Sequence, residues 1–366
     1  MERRETEDLL EALRAAQRTG HAAALATIVR VRGSAYRREG THMLVRDDGA
    51  LTCMLSGGCL EPDVAEVARR VLRSGTPELR HYDLEEDVVW GLGLGCGGTV
   101  DVLIEPAAGA PILQEWFAVL EQGAPGVLAT VLDGFGRRLV RADGTASGTT
   151  GSAALDAAID REAQQVLAAS YPRAETRTLQ VREQGVDVFF DVSGPPPHLV
   201  LFGAGHDAIP LAAMAQSFGW RVTVVDVRAA FTTPERFPGA QLILAHPDQF
   251  AAFVPLDART CVMVMNHHLE RDAATLGYVL QTPAPWIGVL GPRSRYEKLL
   301  AELKAQGKEP SPEVLARVRN PVGLDIGAES PQEVALAIVG ALIAERRGFR
   351  GGLLHGVTGR IHDPQR

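Results

Sequence analysis

Five short apolar runs in the second half of this 366-residue chain constrain its fold more than any other feature. They are Leu199–Phe202, Val222–Val225, Leu242–Leu244, Cys261–Met265 and Trp286–Leu290. Each is too short for a helix and lacks the polar alternation of a half-exposed strand. Helix-compatible stretches separate several of them, as when parallel strands buried on both faces are joined by crossover helices. Ser330-Pro331-Gln332-Glu333 places Ser at N-cap, Pro at N1 and Glu at N3, a capping box that opens a helix through about Ala344.

The pattern changes upstream of Ser193-Gly194-Pro195-Pro196-Pro197, a run that continues neither a helix nor a central strand and reads as a linker. We place a mixed α+β domain at 1–194 and a Rossmann-like parallel-sheet domain at 195–366. In the first, Thr6–Arg18 carries Leu9, Leu10 and Leu13 on one helical stripe. Ala22–Val31 reads as a strand, and Met43–Val45 with Ala50–Leu55 flank Asp47-Asp48-Gly49 as a hairpin. Pro62–Arg73 is a second helix, and Thr99–Ile104 and Val186–Phe190 are further strands. No internal repeat is evident.

Glycine is abundant at 38 residues and aromatics are few at 5%, a balance that suggests tightly turned backbone rather than aromatic packing. Much of the informative glycine lies in three turns. Ser56-Gly57-Gly58-Cys59-Leu60-Glu61-Pro62 joins a strand to a helix, with Pro62 a natural N1 residue, so that the helix dipole favours a thiolate at Cys59. Gly91-Leu92-Gly93-Leu94-Gly95-Cys96-Gly97-Gly98 sets a second cysteine among glycines. Such turns bring backbone close to a ligand beside a soft nucleophile suited to sulfur chemistry or a soft metal; the alternative is two tight turns with small buried cysteines. The third turn, Gly203-Ala204-Gly205-His206-Asp207-Ala208, is GxGxxA between a strand and a helix, and Gly219 closes that helix. Its amides and helix N-terminus suit a phosphate. The next strand ends at Asp226, where an acid would meet a ribose hydroxyl, although a turn of this kind can also bind nothing. His206 would donate to the phosphate or simply be solvated. Asn266-His267-His268 and Gly291-Pro292-Arg293-Ser294-Arg295 follow later strands at the same end of the sheet, with Asp272 placed to orient His267 and the arginines either holding phosphate or opening a basic helix.

Taken in order, these pieces resemble the XdhC/CoxI family, accessory factors of xanthine dehydrogenase and related molybdenum hydroxylases. The resemblance rests on Gly33-Ser34 with Arg37 and Gly40, Met43-Leu44-Val45, Ser56–Glu61 and Gly95–Gly98. It continues through Gly203–His206, Val224-Val225-Asp226 with Arg228, Met265 with His267 and Asp272, Ile287–Gly291 and Pro321–Gly327. It implies an N-terminal domain with the glycine–cysteine motifs and a C-terminal Rossmann-like domain. It also implies binding of the molybdenum cofactor (molybdopterin), exchange of an oxo ligand on molybdenum for sulfide supplied by a separate cysteine desulfurase, and insertion into the hydroxylase. On this reading Cys59 and Cys96 are the catalytic and metal-contacting residues. Ser56, Gly57, Gly58, Gly97, Gly98, Gly203, Gly205, His206, Asp226, Arg228, His267 and Arg293 bind cofactor. The chain departs from the family pattern with Tyr36 for proline, Cys53 for glycine, Asp207 for an apolar residue, Val227 for an acid, Asn266 for a hydroxyl residue and Pro292 for serine.

A net charge of −8 argues against general nucleic-acid or anionic-membrane binding. No run approaches the roughly 18 apolar residues of a membrane helix, and Met1–Glu5 leads into no secretory segment. Cys53, Cys59, Cys96 and Cys261 form neither CxxC pairs nor a disulfide framework, so we expect a reducing, cytoplasmic location, with a homodimer only on base rates. Two rival readings are an NAD(P)-dependent oxidoreductase built on the Rossmann turn and a scaffold that binds no small molecule. Against the first, no Tyr–Lys or Ser–His–Asp arrangement is placed for proton transfer.

Overall fold

The computed structural model describes residues 3–84, 98–108, 110–169, 171–182 and 184–356. These divide into two compact units, one ending at Pro195 and the other starting at Pro196.

In the first unit the elements run α1 (Arg3–Thr19), β1 (Ala23–Gly33), β2 (His42–Arg46), β3 (Leu51–Thr52), α2 (Glu61–Ser74), β4 (Glu78–Asp83) and β5 (Gly98–Pro106). The same order follows again: α3 (Pro111–Gln122), β6 (Gly126–Val131), β7 (Arg137–Arg141), β8 (Ala146–Thr149), α4 (Ala153–Ala168), β9 (Glu175–Val181) and β10 (Gln184–Ser193). Two antiparallel sheets result, ordered β3-β2-β1-β5-β4 and β8-β7-β6-β10-β9. The strand registers agree residue by residue. Leu25 faces Leu44 and Glu105, while Leu128 faces Leu139 and Asp191. Thr27 faces His42, while Thr130 faces Arg137. Glu78 faces Ile104, while Glu175 faces Phe190. The expectation of no internal repeat is therefore corrected: this unit is one αβββαββ motif built twice.

The copies meet through reciprocal contacts, residue i on j and j on i, as across a two-fold axis. His42 of the first copy pairs with Asp191 of the second at 3.0 Å, and their counterparts Arg137 and Glu105 pair in the opposite sense. Between them, Val29 and Leu103 pack with their counterparts Leu132 and Phe189. All four side chains are nearly buried. Burial pushes the Glu105 carboxyl above the usual carboxylate value, with Arg137 opposing that rise.

The second unit carries β11 (His198–Phe202), α5 (Ala208–Ser217), β12 (Arg221–Asp226), β13 (Gln241–Leu244), α6 (Phe250–Phe253), β14 (Thr260–Val264), α7 (Leu269–Val279), β15 (Trp286–Val289), α8 (Arg293–Ala305), α9 (Pro312–Leu315), β16 (Val318–Arg319) and α10 (Pro331–Arg346). Its strands form one parallel sheet ordered β13-β12-β11-β14-β15-β16. This is the doubly wound Rossmann order, with its switch point between β11 and β14. Alternate residues of β11 feed the two faces. Leu199 and Leu201 pack in the cluster with α5 and α10, and Val200 and Phe202 in the cluster with α7 and α8. Cys261 is buried in the first cluster, and burial pushes its thiol up to about 12. No helix among the described residues is long and apolar enough to cross a membrane.

The seam between the copies is testable. Arg137→Met strands the buried Glu105 charge and should lower unfolding free energy by about 3–5 kcal/mol in urea titration, whereas replacing both partners with apolar residues should recover most of that loss.

Candidate cofactor-binding sites

In the first copy, the chain leaving β3 turns at Ser56–Leu60 into α2. One buried carboxylate fixes this turn. Glu61 accepts hydrogen bonds from the Leu55 N–H (3.0 Å), the Ser56 N–H (2.8 Å) and the Ser56 hydroxyl (2.5 Å). The Ser56 Oγ in turn accepts from the N–H groups of Gly58, Cys59 and Leu60, each at 3.1 Å. Burial alone would raise Glu61, but these hydrogen bonds hold it below the ordinary carboxylate value. Pro62 stands in the first turn of α2 and Leu60 at its N-cap, so Cys59 precedes the cap by one residue. The thiol is free and half-buried. Gly57 and Gly58 are exposed, and among the described residues no atom beyond their chain neighbours lies within 4 Å of where a side chain would project from either. Gly58 has φ +109°, which favours glycine. The turn therefore offers bare backbone beside a thiol, held rigid from below.

Cys96 and Gly97 lie outside the described residues. Gly98 is buried, and a Cβ there would strike the backbone oxygens of Ser34 and Arg32 at 2.3 and 2.6 Å. Its missing side chain thus serves sheet packing. Cys53 occupies a left-handed backbone position, φ +64°, which accounts physically for the glycine expected there. Its thiol is pushed up to about 11 by burial and by Glu5 and Asp8.

In the second unit the Gly203–Ala208 turn follows β11, at the carboxyl end of the sheet. Gly203 has φ +122° and a Cβ would meet the Met265 carbonyl oxygen at 2.3 Å, so the turn and the end of β14 touch backbone to backbone. Asp226 points back into this turn. It accepts from Ala204 N–H (2.7 Å), from Arg228 N–H (2.9 Å) and from the Arg228 guanidinium (3.0 and 2.7 Å). Burial would raise it, but the Arg228 and backbone hydrogen bonds lower it. Arg228 also lies 4.1 Å over the Phe231 ring.

Asp207 caps α5 through the Ala208 N–H (3.1 Å) and pairs with His267 at 2.8 Å. A Cβ on Gly205 would lie 2.6 Å from Asp207 Oδ1 and 3.5 Å from the His267 ring. The orienting partner of His267 is therefore Asp207. Asp272 instead holds Asn266 (3.0 Å) and Arg295 (2.6 Å). His267 has φ +57°, a costly position for a non-glycine residue that brings its ring over the glycine turn. The hydrogen bond that its ring N–H donates to Asp207 raises its pKa. His206 is exposed. Arg293 opens α8 with its side chain in solvent, near Glu297 and Tyr296.

Two family models match the sequence. One, described as the XdhC Rossmann domain, matches residues 199–342. The other, the XdhC and CoxI family, matches residues 16–83 and 119–180, one stretch in each copy of the repeat. The chain belongs to the XdhC/CoxI family. It is 34% identical over 337 residues, 89% of this chain and 93% of the relative, to a Bacillus subtilis protein named as a probable subunit of xanthine dehydrogenase. It is 24% identical over 328 residues, covering 90% of this chain and 85% of the relative, to the Escherichia coli molybdenum cofactor insertion chaperone PaoD. A solved structure of a xanthine dehydrogenase from Bacillus halodurans matches with a TM-score of 0.73 at 30% identity, covering 91% of this chain and 94% of that one.

Within this XdhC/CoxI protein, sequence reasoning assigned no role to Glu61 and noted Asp207 only as a departure. Spacing carried a signal for both: an acid beside Pro62 at a helix start, and an acid at the N-cap of a glycine turn. Glu61→Ala strips the turn of its acceptor and should cost about 1–3 kcal/mol in denaturant unfolding. Because the folded-state Glu61 value is lowered, its contribution is present above the ordinary carboxylate range and fades as pH falls through the folded value. The wild-type advantage over Glu61→Ala should shrink in acid. For His267, Asp207→Asn should lower the imidazole pKa, read from the pH dependence of its ring C–H NMR signals.

Proposed function

We propose that this protein binds the molybdenum cofactor as cargo and delivers it to a xanthine dehydrogenase-type hydroxylase. The observation that supports this most directly is the Gly57-Gly58-Cys59 turn: open glycine backbone beside a free thiol, fixed by the buried Ser56–Glu61 hydrogen bonds. A soft thiolate suits the molybdenum–dithiolene end of such a cargo, and two bare glycines admit a bulky ligand to within backbone contact. Cys59 is the soft donor on this reading, with Cys96 as its partner. Cofactor sulfuration, with the sulfur drawn from a separate cysteine desulfurase and reduced to sulfide by a thiol reductant, is the step that these thiols would support. Free thiols require a reducing compartment, and we place the protein in the cytoplasm.

The Rossmann unit fits this role better than that of a nicotinamide enzyme. A dinucleotide needs a free acid for its ribose and a positive helix end for its pyrophosphate. Here Asp226 is engaged by Ala204 and Arg228, and Asp207 brings a carboxylate to the helix start. The remaining donors, His206 and Arg293, are suited to a phosphate arriving from solvent.

Purification from a molybdenum-replete host, with molybdenum and pterin assayed in the same sample, tests the reading. Wild type should copurify both. Cys59→Ala should retain less than a tenth of the molybdenum with its thermal midpoint unchanged. Full retention by Cys59→Ala and by Cys96→Ala alike would remove the cysteines from the proposal. NADH titration should show no tight binding.

A further inference from the structure

The second copy of the repeat lines most of an opening that Arg30 and Leu79 of the first copy complete. A cleft of about 820 Å³ lies beside the β8–α4 turn, and its wall includes Asp133, Thr150, Leu155, Gln184 and Asp187. The turn beside it repeats the carboxylate device of the first copy. Asp156 accepts from the Thr150 N–H (2.8 Å) and from the Thr150 and Thr149 hydroxyls (2.7 Å each), as Glu61 does from Ser56.

The strand registers identify what this cleft corresponds to in the first copy. Asp187 faces Thr178 as Asp101 faces His81, which makes Gln184 the counterpart of Gly98. Helix α4 aligns with α2 through Asp156 and Glu61, which makes Leu155 the counterpart of Leu60 and Ala154 that of Cys59. The cleft wall thus includes the counterparts of Leu60 and Gly98, one from each glycine–cysteine turn, and Ala154 stands at the Cys59 position. The connectors differ as well. In the first copy residues 84–97 link β4 to β5, and in the second only residues 182 and 183 link β9 to β10.

The charges on the wall restrict the ligand. Arg30 is the one cation among the described lining residues, and it is already paired with Asp101 (3.5 Å) and Asp187 (2.5 Å). Hydrogen bonds from Thr178 and Arg30 keep Asp187 ionised. Asp133 adds an exposed carboxylate and Gln184 an amide. A wall that is net negative and rich in acceptors rejects phosphate. It suits neighbouring N–H donors, which a carboxylate receives in pairs.

We propose that this cleft is a second, thiol-free ligand seat that takes a neutral, planar amino-heterocycle of the pterin class by its adjacent N–H and NH2 donors. The proposal rests on the cargo reading above for its choice of pterin. A volume of this size holds a small heterocyclic ligand.

The test is a fluorescence titration of the full chain with free pterin at neutral pH. Wild type should bind it. Asp133→Asn, an exposed substitution that leaves the fold intact, should bind at least tenfold more weakly, and Gln184→Trp, which fills the cleft, should abolish binding. Cys59→Ala should bind as wild type does, and inorganic phosphate should not compete. Absence of pterin binding by wild type, equal affinity in Asp133→Asn and Gln184→Trp, or displacement by phosphate would each overturn the seat. If molybdenum copurification fails while pterin still binds in an Asp133-dependent way, the cargo reading falls and the seat stands. If molybdenum copurifies while pterin affinity ignores both variants, the seat falls and the cargo reading stands.

Discussion

Two buried polar pairs crossing in opposite senses tie together the two copies in the first unit. His42 reaches Asp191 and Arg137 reaches Glu105, each from one copy of the repeat to the other. Burying four ionisable groups costs several kcal/mol per ion, and close pairing repays that only when geometry is good. The return here is specificity of docking. An apolar seam alone, such as Val29, Leu103, Leu132 and Phe189, tolerates sliding between two sheets, whereas reciprocal directional pairs accept one arrangement. Thr27 extends the same order into the sheet through its 2.9 Å contact with His42 Nδ1. The turns at the helix starts inherit their positions from sheets locked in this way.

The turns depend on a second device, a carboxylate buried at the start of a helix. A glycine-rich turn has too many accessible conformations to present a thiol in one place, because glycine loses more backbone freedom on ordering than any other residue. Glu61 and Ser56 supply the order from beneath, leaving Gly57 and Gly58 bare on the outside. Asp156 with Thr149 and Thr150 does the same where no cysteine follows. The carboxylate device therefore belongs to the αβββαββ motif itself, and Cys59 is an addition to one copy of it. This separates the residues that make the turn from the residue that gives it chemistry.

Much of the architecture was legible from periodicity. The five apolar runs after residue 198 all form strands of the parallel sheet, because a strand buried on both faces has no polar alternation to obscure it. The capping box at Ser330 opens α10 with both hydrogen-bonded arms present. The repeat was not legible, and its loops explain why. Leu25-Ala26-Thr27 matches Leu128-Ala129-Thr130, and Leu44-Val45-Arg46 matches Leu139-Val140-Arg141. The first pair is separated by 103 positions and the second by 95, because β1 runs five residues longer than β6 and its connector to the next strand is three residues longer. Strand pairing preserves register while loops absorb insertions, so the spacing drifts along the chain and leaves no period to find. Side-chain direction at the glycine turns was equally hidden. Asp226 and Asp207 were visible as acids near a phosphate-type loop, but only the fold shows which way each one turns.

Those directions bear on what the second unit has become. In a dinucleotide site the acid at the end of the second strand faces outward and the helix start is left uncapped for phosphate. Here Asp226 faces inward onto Ala204 N–H and Arg228, and Asp207 caps the helix itself while holding His267. The Ala204 and Ala208 N–H groups thus have partners without a ligand. An anion approaching Gly205 must displace a carboxylate already hydrogen-bonded to both the helix amide and an imidazole. That contest is pH-dependent in a fixed direction. The His267 pKa is raised by its pairing with Asp207, so the pair is complete in mild acid and weakens as pH rises through the folded value. Deprotonation then releases Asp207 from the imidazole but leaves its negative charge in place, so higher pH does not clear the turn for an anion. A Rossmann sheet with the right strand order can therefore carry a turn whose acids are engaged by groups of the protein itself, and here Asp226 and Asp207 are engaged in that way.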